Sequence, residues 1–254
     1  MNSYLTAALV LAAYMLMWFV ISIIRRRNDV ADTAWGLGFV LVAWLSLYLG
    51  GASLIKGLVC VFVSIWGIRL AQHVHARNKN KPEDFRYAQW RQTWKYFYLR
   101  SFFQIYVLQG VLLYLISLPV QFIQFEAVSS ITWFTLLGCC IWAFGLVFES
   151  VSDAQLKAFI IDPRNKGKIM DRGLWAYSRH PNYFGEVTCW WGLYIVGLSQ
   201  SVSAAWTIIG PLTITALILF VSGVPMLEKK YLGNSNYEEY KKRTSIFIPW
   251  FRKK

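Results

Sequence analysis

Residues 173–192 read Gly-Leu-Trp-Ala-Tyr-Ser-Arg-His-Pro-Asn-Tyr-Phe-Gly-Glu-Val-Thr-Cys-Trp-Trp-Gly. They bring together a guanidinium (Arg179), an imidazole (His180), an amide (Asn182) and a carboxylate (Glu186) just where a basic loop enters an apolar run. Pro181 suits the first position of a helix, where a missing N–H costs nothing. Asn182, Glu186 and Trp190 then recur at i, i+4 and i+8 and share one face. A carboxylate one turn inside a membrane helix is expensive. Such a group faces a bundle interior or a water-filled cavity and marks a functional site.

The other acids sit in similar places. Asp32 stands near the start of the second apolar run, Glu149 and Asp153 follow the fifth at i, i+4, and Glu228 closes the last. If these helix ends converge, the acids and Asn182 line one polar cavity. Arg69, Arg77, Arg86, Arg164, Arg172, Arg179 and His180 then surround its mouth. Such a mouth suits an anionic cofactor, because phosphates are held by Arg forks and by N–H groups at helix starts. The acids below it suit ribose hydroxyls, an amide or an ammonium. The conventional nucleotide loops are absent. Gly36-Leu-Gly38 lies in an apolar run and lacks the third glycine, and there is no Walker sequence.

Each feature has a plainer reading. Interfacial Arg and Lys set topology and meet lipid headgroups. Asp29 and Asp32 could cap the second helix. Trp190-Trp191 could face lipid, and Glu238-Glu239 reads as a solvated helix face. His73 and His75, two apart, do not face each other and make no metal pair. The four cysteines (Cys60, Cys139, Cys140, Cys189) lie in apolar runs without metal-ligand spacing and read as packing residues. Glu186 resists the plain reading most, since it would have to snorkel to the interface.

The elements that position these residues are membrane helices. Of the 254 residues 56% are hydrophobic, with 13 Trp, 14 Tyr and 17 Phe, too apolar for an ordinary soluble domain. The runs Tyr4–Ile24, Thr33–Ile55, Ser101–Phe125 and Ala127–Phe148 carry no charge, and each can cross a bilayer, which takes about 20 residues. Gly57–Ile68 extends to a full span if Gly50-Gly51 turns the chain, and Val187–Leu227 suffices for two spans with a break near Ser199–Ser203. The expected fold is therefore an all-α integral membrane protein of seven helices in a single domain over residues 1–254, its cofactor-binding half at about 145–254. Of 26 Lys and Arg, 25 fall on one side of this arrangement, Lys56 being the exception. The positive-inside rule then puts the N-terminus outside and the C-terminus in the cytoplasm. The formal charge of +13 reads first as topology, and nothing favours nucleic acid. No basic segment precedes the first run and no cleavage site follows it, so it reads as retained.

Two loops on the basic side are long enough to hold structure. In His73–Arg100, Trp90-Arg91, Trp94-Lys95 and Tyr96 interleave aromatics with cations, as in an amphipathic piece lying on the membrane surface. Asp162–His180 is broken by Pro163, Gly167 and Gly173. In the tail a helix starts at Ser235 or Asn236. The apolar stub Ile246–Phe251 is expected to pack back on the bundle.

Taken together, Gly173 to Glu186 resembles the C-terminal signature of the steroid 5-alpha-reductase superfamily, closest to its bacterial membrane-protein branch. Asp29-Val-Ala-Asp32 with Trp35-Gly36, Arg69-Leu70, Glu83-Asp84 with Arg86-Tyr87, Glu149 to Gln155, and Tyr237 to Trp250 extend the likeness over nearly the whole chain. A similar Arg-His-Pro-Asn run occurs in isoprenylcysteine and phospholipid methyltransferases. The resemblance implies a seven-helix reductase of the bacterial inner membrane that binds NADPH. Asn182, Glu186 and Asp153 match the family's cofactor-holding residues, and Tyr177 matches a tyrosine in the loop before. Arg77 falls among polar contacts after the third helix, with Asp84, Arg86 and Tyr87 in the next matching piece. Glu149, Arg164, Arg179 and His180 complete the implied cofactor set, and Glu228 and Tyr231 fall near the last-helix contacts. Steroid reductases carry a Glu just after the second-helix tryptophan, where this chain has Gly38 and Phe39. Asp32 is the nearest candidate for the catalytic acid.

The reaction so implied is NADPH-dependent reduction of an activated carbon–carbon double bond in a lipophilic, steroid- or enone-like substrate that enters sideways from the membrane lipids between the early helices. A neutral carboxyl or a tyrosine would hydrogen-bond the substrate carbonyl. The alternatives are an S-adenosylmethionine-dependent membrane methyltransferase, and a non-enzymatic lipid-binding or scaffold protein whose buried acids only fix helix packing. Against methylation, Glu228 is followed by Lys229, where the methyltransferases carry an Arg-preceded pair of Glu.

Overall fold

Helix starts and stops follow local chemistry throughout the computed structural model, which describes residues 2–126 and 131–252. The Asn2 side chain accepts from the N–H of Tyr4 and opens α1 (Ser3–Arg25), which closes on Arg26 in the left-handed region, at φ 52. Helix α2 (Val30–Gly50) ends at Gly51, whose φ of 76 glycine adopts without a Cβ clash. The Ser53 hydroxyl caps α3 (Leu54–Asn78). A short helix, α4 (Phe85–Thr93), precedes α5 (Phe97–Ile116), which contains a π turn over Phe102–Val107. The run read as one helix to Phe125 is broken at Ser117. Pro119, in the first turn of α6 (Leu118–Phe125), has no N–H to continue the ladder.

A Thr132/Thr135 capping box opens α7 (Trp133–Ile161), which runs beyond its apolar core through Glu149 and Asp153. Helix α8 (Pro181–Gln200) starts on the proline, as its sequence predicts. It ends at the expected break, and α9 (Val202–Tyr231) follows with a π turn over Leu217–Val221 and an interruption at Gly223. Asn234 caps α10 (Ser235–Arg243).

Among the described residues helix makes up 81% and there is no strand. Six helices among the described residues, α1, α2, α3, α5, α7 and α9, are long and apolar enough to cross a membrane. Helix α8 has the length, at 20 residues, but Asn182, Glu186 and Thr188 lower the hydropathy of its first turns. The expected outer loop over 124–130 lies partly outside the described residues.

The chain packs as two compact units. The first holds α1–α6 and Gln200–Ile209; the second holds Thr132–Ser199 and the chain from Gly210 onward. In each, glycines let two helix backbones touch, the small-residue packing common between membrane helices. In the first unit a methyl on Gly36 would lie 2.5 Å from the Gly67 carbonyl oxygen, and one on Gly67 would lie 2.5 Å from that of Gly36. Gly36-Leu-Gly38, which is no cofactor loop, is thus a contact surface. The buried Lys56 donates to the Gly50 carbonyl (2.9 Å), where the C-terminus of α2 favours a positive charge. In the second unit Gly138 and Gly145 of α7 meet Gly192 and Gly185 of α8, and a methyl on Gly145 would stand 2.7 Å from the Gly185 oxygen. This contact brings the polar ends of α7 and α8 together.

Candidate functional site

The polar residues singled out in the sequence gather in two clusters, one in each unit. In the first unit α4 is stapled to the turn between α1 and α2. Arg27 forks Asp29 (2.6 and 3.0 Å), Arg91 forks Glu83 (2.9 and 3.0 Å), and Arg86 reaches both Asp84 (3.0 Å) and Asp32 (2.9 Å). Asp29 occupies the N-cap position of α2, but its side chain makes no cap bond. It accepts from Arg27 and from the Asp84 N–H (3.2 Å) instead, so the simple capping role expected for it does not hold. Asp84 is the residue that caps, accepting from the Arg86 N–H at the start of α4.

Asp32 lies in the first turn of α2. Its Oδ1 accepts from the Tyr87 hydroxyl (2.6 Å), its Oδ2 accepts from Arg86, and Arg77 stands 3.9 Å away. Asp32 is therefore an acceptor here, and the hydrogen donor of the pair is Tyr87. Tyr87 is 3% exposed. Burial and then the Asp32 charge push its phenol pKa well above the usual value, so it stays protonated. Burial works against the Asp84 carboxylate, but hydrogen bonds from Arg86 outweigh it and hold its pKa below the usual carboxylate value. Burial likewise opposes the Arg86 charge, and Asp32 and Asp84 more than restore it. In the same unit α1 and α5 frame an apolar cavity of about 490 Å³, lined by Leu11, Met15, Phe102, Tyr106 and Tyr114 among others.

The second cluster lies where the loop before α8 meets the end of α9. Glu228 Oε1 takes Arg179 Nη1 at 2.8 Å and His180 Nε2 at 3.1 Å. Tyr237 of α10 stacks on Tyr231 (4.4 Å) and also faces Glu228. One turn into α8, Asn182 Nδ2 donates to Asp153 Oδ1 of α7 (3.1 Å). Glu149 is buried against Gly185, the residue before Glu186. The Arg179 side chain is 8% exposed, and its Nε is a buried donor with no acceptor among the described residues. A guanidinium held so, beside the start of a 20-residue helix, is equipped to receive an anion.

The C-terminal tail fixes this loop. The Tyr240 hydroxyl donates to the Trp175 carbonyl (2.5 Å), the Ser178 hydroxyl donates to the Phe247 carbonyl (2.7 Å), and the Arg179 N–H donates to the Ser245 carbonyl (2.8 Å). The stub packs back as expected through Phe247, which meets Phe184 edge-on. Trp250 and Phe251 remain exposed.

Thus Asp32, Arg77, Asp84, Arg86 and Tyr87 come together in the first unit. Arg179, His180, Glu228 and Tyr231, and separately Asn182 and Asp153, come together in the second. Tyr177 is 45% exposed and contributes its carbonyl to the tail pairing through the Trp250 N–H (3.0 Å). Arg164 is 87% exposed and forks Asp162 within its own turn (2.8 Å), so the structure does not bring it to the cluster. Tyr237, Ser178 and Tyr240 lie in the segments that carry the resemblance but are not among the candidate site residues the sequence points to. A tyrosine at i, i+3 in a polar tail helix carries no signal until its partner loop is known.

Comparison with known proteins gives a family and two relatives. A family described as "Protein of unknown function (DUF1295)" matches residues 18–244. An uncharacterized protein of Schizosaccharomyces pombe is 25% identical over 214 residues, 73% of this chain and 61% of that protein. A probable O-methyltransferase of Ustilaginoidea virens is 48% identical over 46 residues, 18% of this chain and 16% of that protein. The chain thus spans less than two thirds of the length of these relatives. No solved structure matches it.

Proposed function

The chain belongs to the DUF1295 family, and from that premise we propose that it is a membrane-embedded NADPH-dependent reductase of a carbon–carbon double bond in a lipophilic, enone-like substrate. The family falls in the group of steroid 5-alpha-reductase-like and membrane methyltransferase-like proteins. The observation that carries the reading is the Arg179–His180–Glu228 cluster at the start of α8, with the buried Arg179 Nε lacking an acceptor among the described residues. An anionic, hydroxyl-rich cofactor fits that donor set. NADPH supplies a hydride when bound.

On this reading Arg179 and His180 hold phosphate oxygens. Asn182, Glu186, Asp153 and Glu149 hold the amide and hydroxyl groups, and Tyr177, Glu228 and Tyr231 border them. The Tyr87 phenol hydrogen-bonds the substrate carbonyl by turning its one hydrogen, given to Asp32 Oδ1 here, to the carbonyl oxygen, and Arg77 and Arg86 then balance the Asp32 charge. A neutral phenol aimed at a developing enolate oxygen stabilises it without a net charge change. The apolar cavity between α1 and α5 suits the hydrocarbon of the substrate. The protein sits in a bacterial inner membrane as seven spans, α8 being the seventh, with the N-terminus outside and the tail in the cytoplasm.

The relative named as an O-methyltransferase favours a second reading, methyl transfer from S-adenosylmethionine at the same α8 site. Thermal unfolding of the detergent-purified chain with each cofactor separates the two. A ligand at a hundredfold excess over its Kd stabilises the folded state by about 2.7 kcal/mol. We expect stabilisation by NADPH alone, lost in Arg179→Gln and in Asn182→Ala. Stabilisation by S-adenosylmethionine alone sinks the reductase in favour of the methyltransferase, and no stabilisation by either sinks both.

A further inference from the structure

The cations at the basic end of the first unit divide into two kinds. Arg27, Arg86 and Arg91 each fork a carboxylate, and Arg77 stands 3.9 Å from Asp32. Lys95 and Arg100 have no carboxylate partner among the described residues. Both are exposed and flank the start of α5, at the end of a membrane-crossing segment. Each rests on an aromatic ring. The Arg100 guanidinium lies 4.8 Å from the centroid of Trp94, and the Lys95 ammonium lies 5.3 Å from that of Tyr96. Trp94 is itself stacked on Trp90 at 4.9 Å. Around them Tyr96, Tyr98, Leu99 and Phe103 expose between 52% and 71% of their surface.

From this arrangement we infer that residues 94–100 form a binding site for the phosphate headgroup of an anionic phospholipid. A guanidinium lying on an indole face keeps its N–H edge outward, in the fork geometry that matches a phosphate. The lysine adds a mobile second charge, and the ring beneath each cation limits the conformers it must give up on binding. Tyr and Trp suit the headgroup level of a bilayer, with an apolar body and a polar tip. Leu99 and Phe103, on α5, offer apolar surface to the acyl chains of the same lipid. A soluble phosphate has no use for that surface. This site shares no residue with the first cluster, although Trp90 packs on both Tyr87 (5.4 Å) and Trp94 (4.9 Å), and it does not depend on the reductase reading.

The test is native mass spectrometry of the full chain released from detergent containing phosphatidylglycerol, phosphatidylcholine or glycerol phosphate. Phosphatidylglycerol should bind at least about tenfold more tightly than phosphatidylcholine, with a loss of about fivefold in Lys95→Gln and a similar loss in Arg100→Gln, as expected for single charges at a membrane surface. Raising salt from about 50 mM to about 500 mM should erase the preference of the wild type, because screening shortens to a few ångströms. That measurement stands even if the substituted chains fail to fold. Equal binding of the two lipids, a preference that survives high salt, or full retention of the preference in the double variant each overturns the inference. Displacement of the lipid by equimolar glycerol phosphate also overturns it, since the site would then recognise a soluble phosphate.

Discussion

Tyr87 shows how environment assigns roles within one residue pair. A carboxylate that accepts from a guanidinium at 2.9 Å and a phenol at 2.6 Å has no hydrogen to give, so a substrate oxygen would draw the phenolic hydrogen away from Asp32. Tyr87→Phe should lower turnover of an enone by about 10²- to 10³-fold, the cost of losing one such donor, while NADPH still stabilises the protein. Steady-state kinetics beside thermal unfolding checks this, and an unchanged turnover removes Tyr87 from the reaction. Asp84 makes a separate prediction about pH. Its folded-state pKa lies below its unfolded value of about 3.9, so its contribution to holding α4 is complete above that value. The contribution declines as pH falls through the lower, folded value. The protection of the α4 amides against hydrogen exchange, measured relative to their intrinsic rate at each pH, should therefore fall as the medium is acidified below about pH 4, and Asp84→Asn should remove much of that dependence. Among the candidate residues, the sequence points to those whose cost is visible in it. A charge such as Glu186 in an apolar run advertises itself. Tyr237 and Tyr240 do not, because their worth lies in a carbonyl or carboxylate supplied by a distant segment.

At the scale of elements, the glycines of α7 and α8 decide where the second cluster forms. Gly138 and Gly145, seven apart, meet Gly192 and Gly185, also seven apart, so two backbones run in contact for two turns. Asn182 then lies within 3.1 Å of Asp153. A methyl at Gly145 would stand 2.7 Å from backbone oxygen and nitrogen atoms, which cannot swing aside as a flexible side chain can. Gly145→Ala should cost about 1–3 kcal/mol, as overpacking does, and should weaken cofactor binding by parting Asn182 from Asp153. Thermal unfolding with and without NADPH reads both effects, and wild-type values for each would show that the glycine contact does not position the site. The spans, the proline start of α8 and the glycine turn after α2 were legible because hydropathy and backbone chemistry are local signals. The glycine register was present in the sequence too, but a seven-residue spacing has no meaning until its partner helix is known. The break at Ser117 was missed because Leu115 to Phe125 stays free of charge through it, and only Pro119 marks the stop.

For the whole molecule, the number of spans and the charge distribution constrain each other. Among the described residues six helices meet the length and hydropathy of a membrane span, and α8 is long enough but carries Asn182 and Glu186 in its first turns. If α8 crosses, there are seven spans, the termini lie on opposite sides, and 25 of 26 Lys and Arg share one side. If α8 does not cross, α9 carries the tail to the other side. Lys229, Lys230, Lys241, Lys242, Arg243, Arg252, Lys253 and Lys254 would then be separated from the remaining cations. Moving that many cations to the wrong face contradicts the bias that orients membrane proteins. The polar turns of α8 also find partners inside the second unit, through the Asn182–Asp153 bond, which lowers the cost of placing them at membrane depth. We therefore expect a green fluorescent protein fused after Lys254 to fluoresce and an alkaline phosphatase fused there to be inactive in a bacterial host. Phosphatase inserted at Gly51 should be active. An active phosphatase at the C-terminus would overturn the seven-span arrangement, in which the Arg179 loop, Glu228 and the tail that pairs with them share one side.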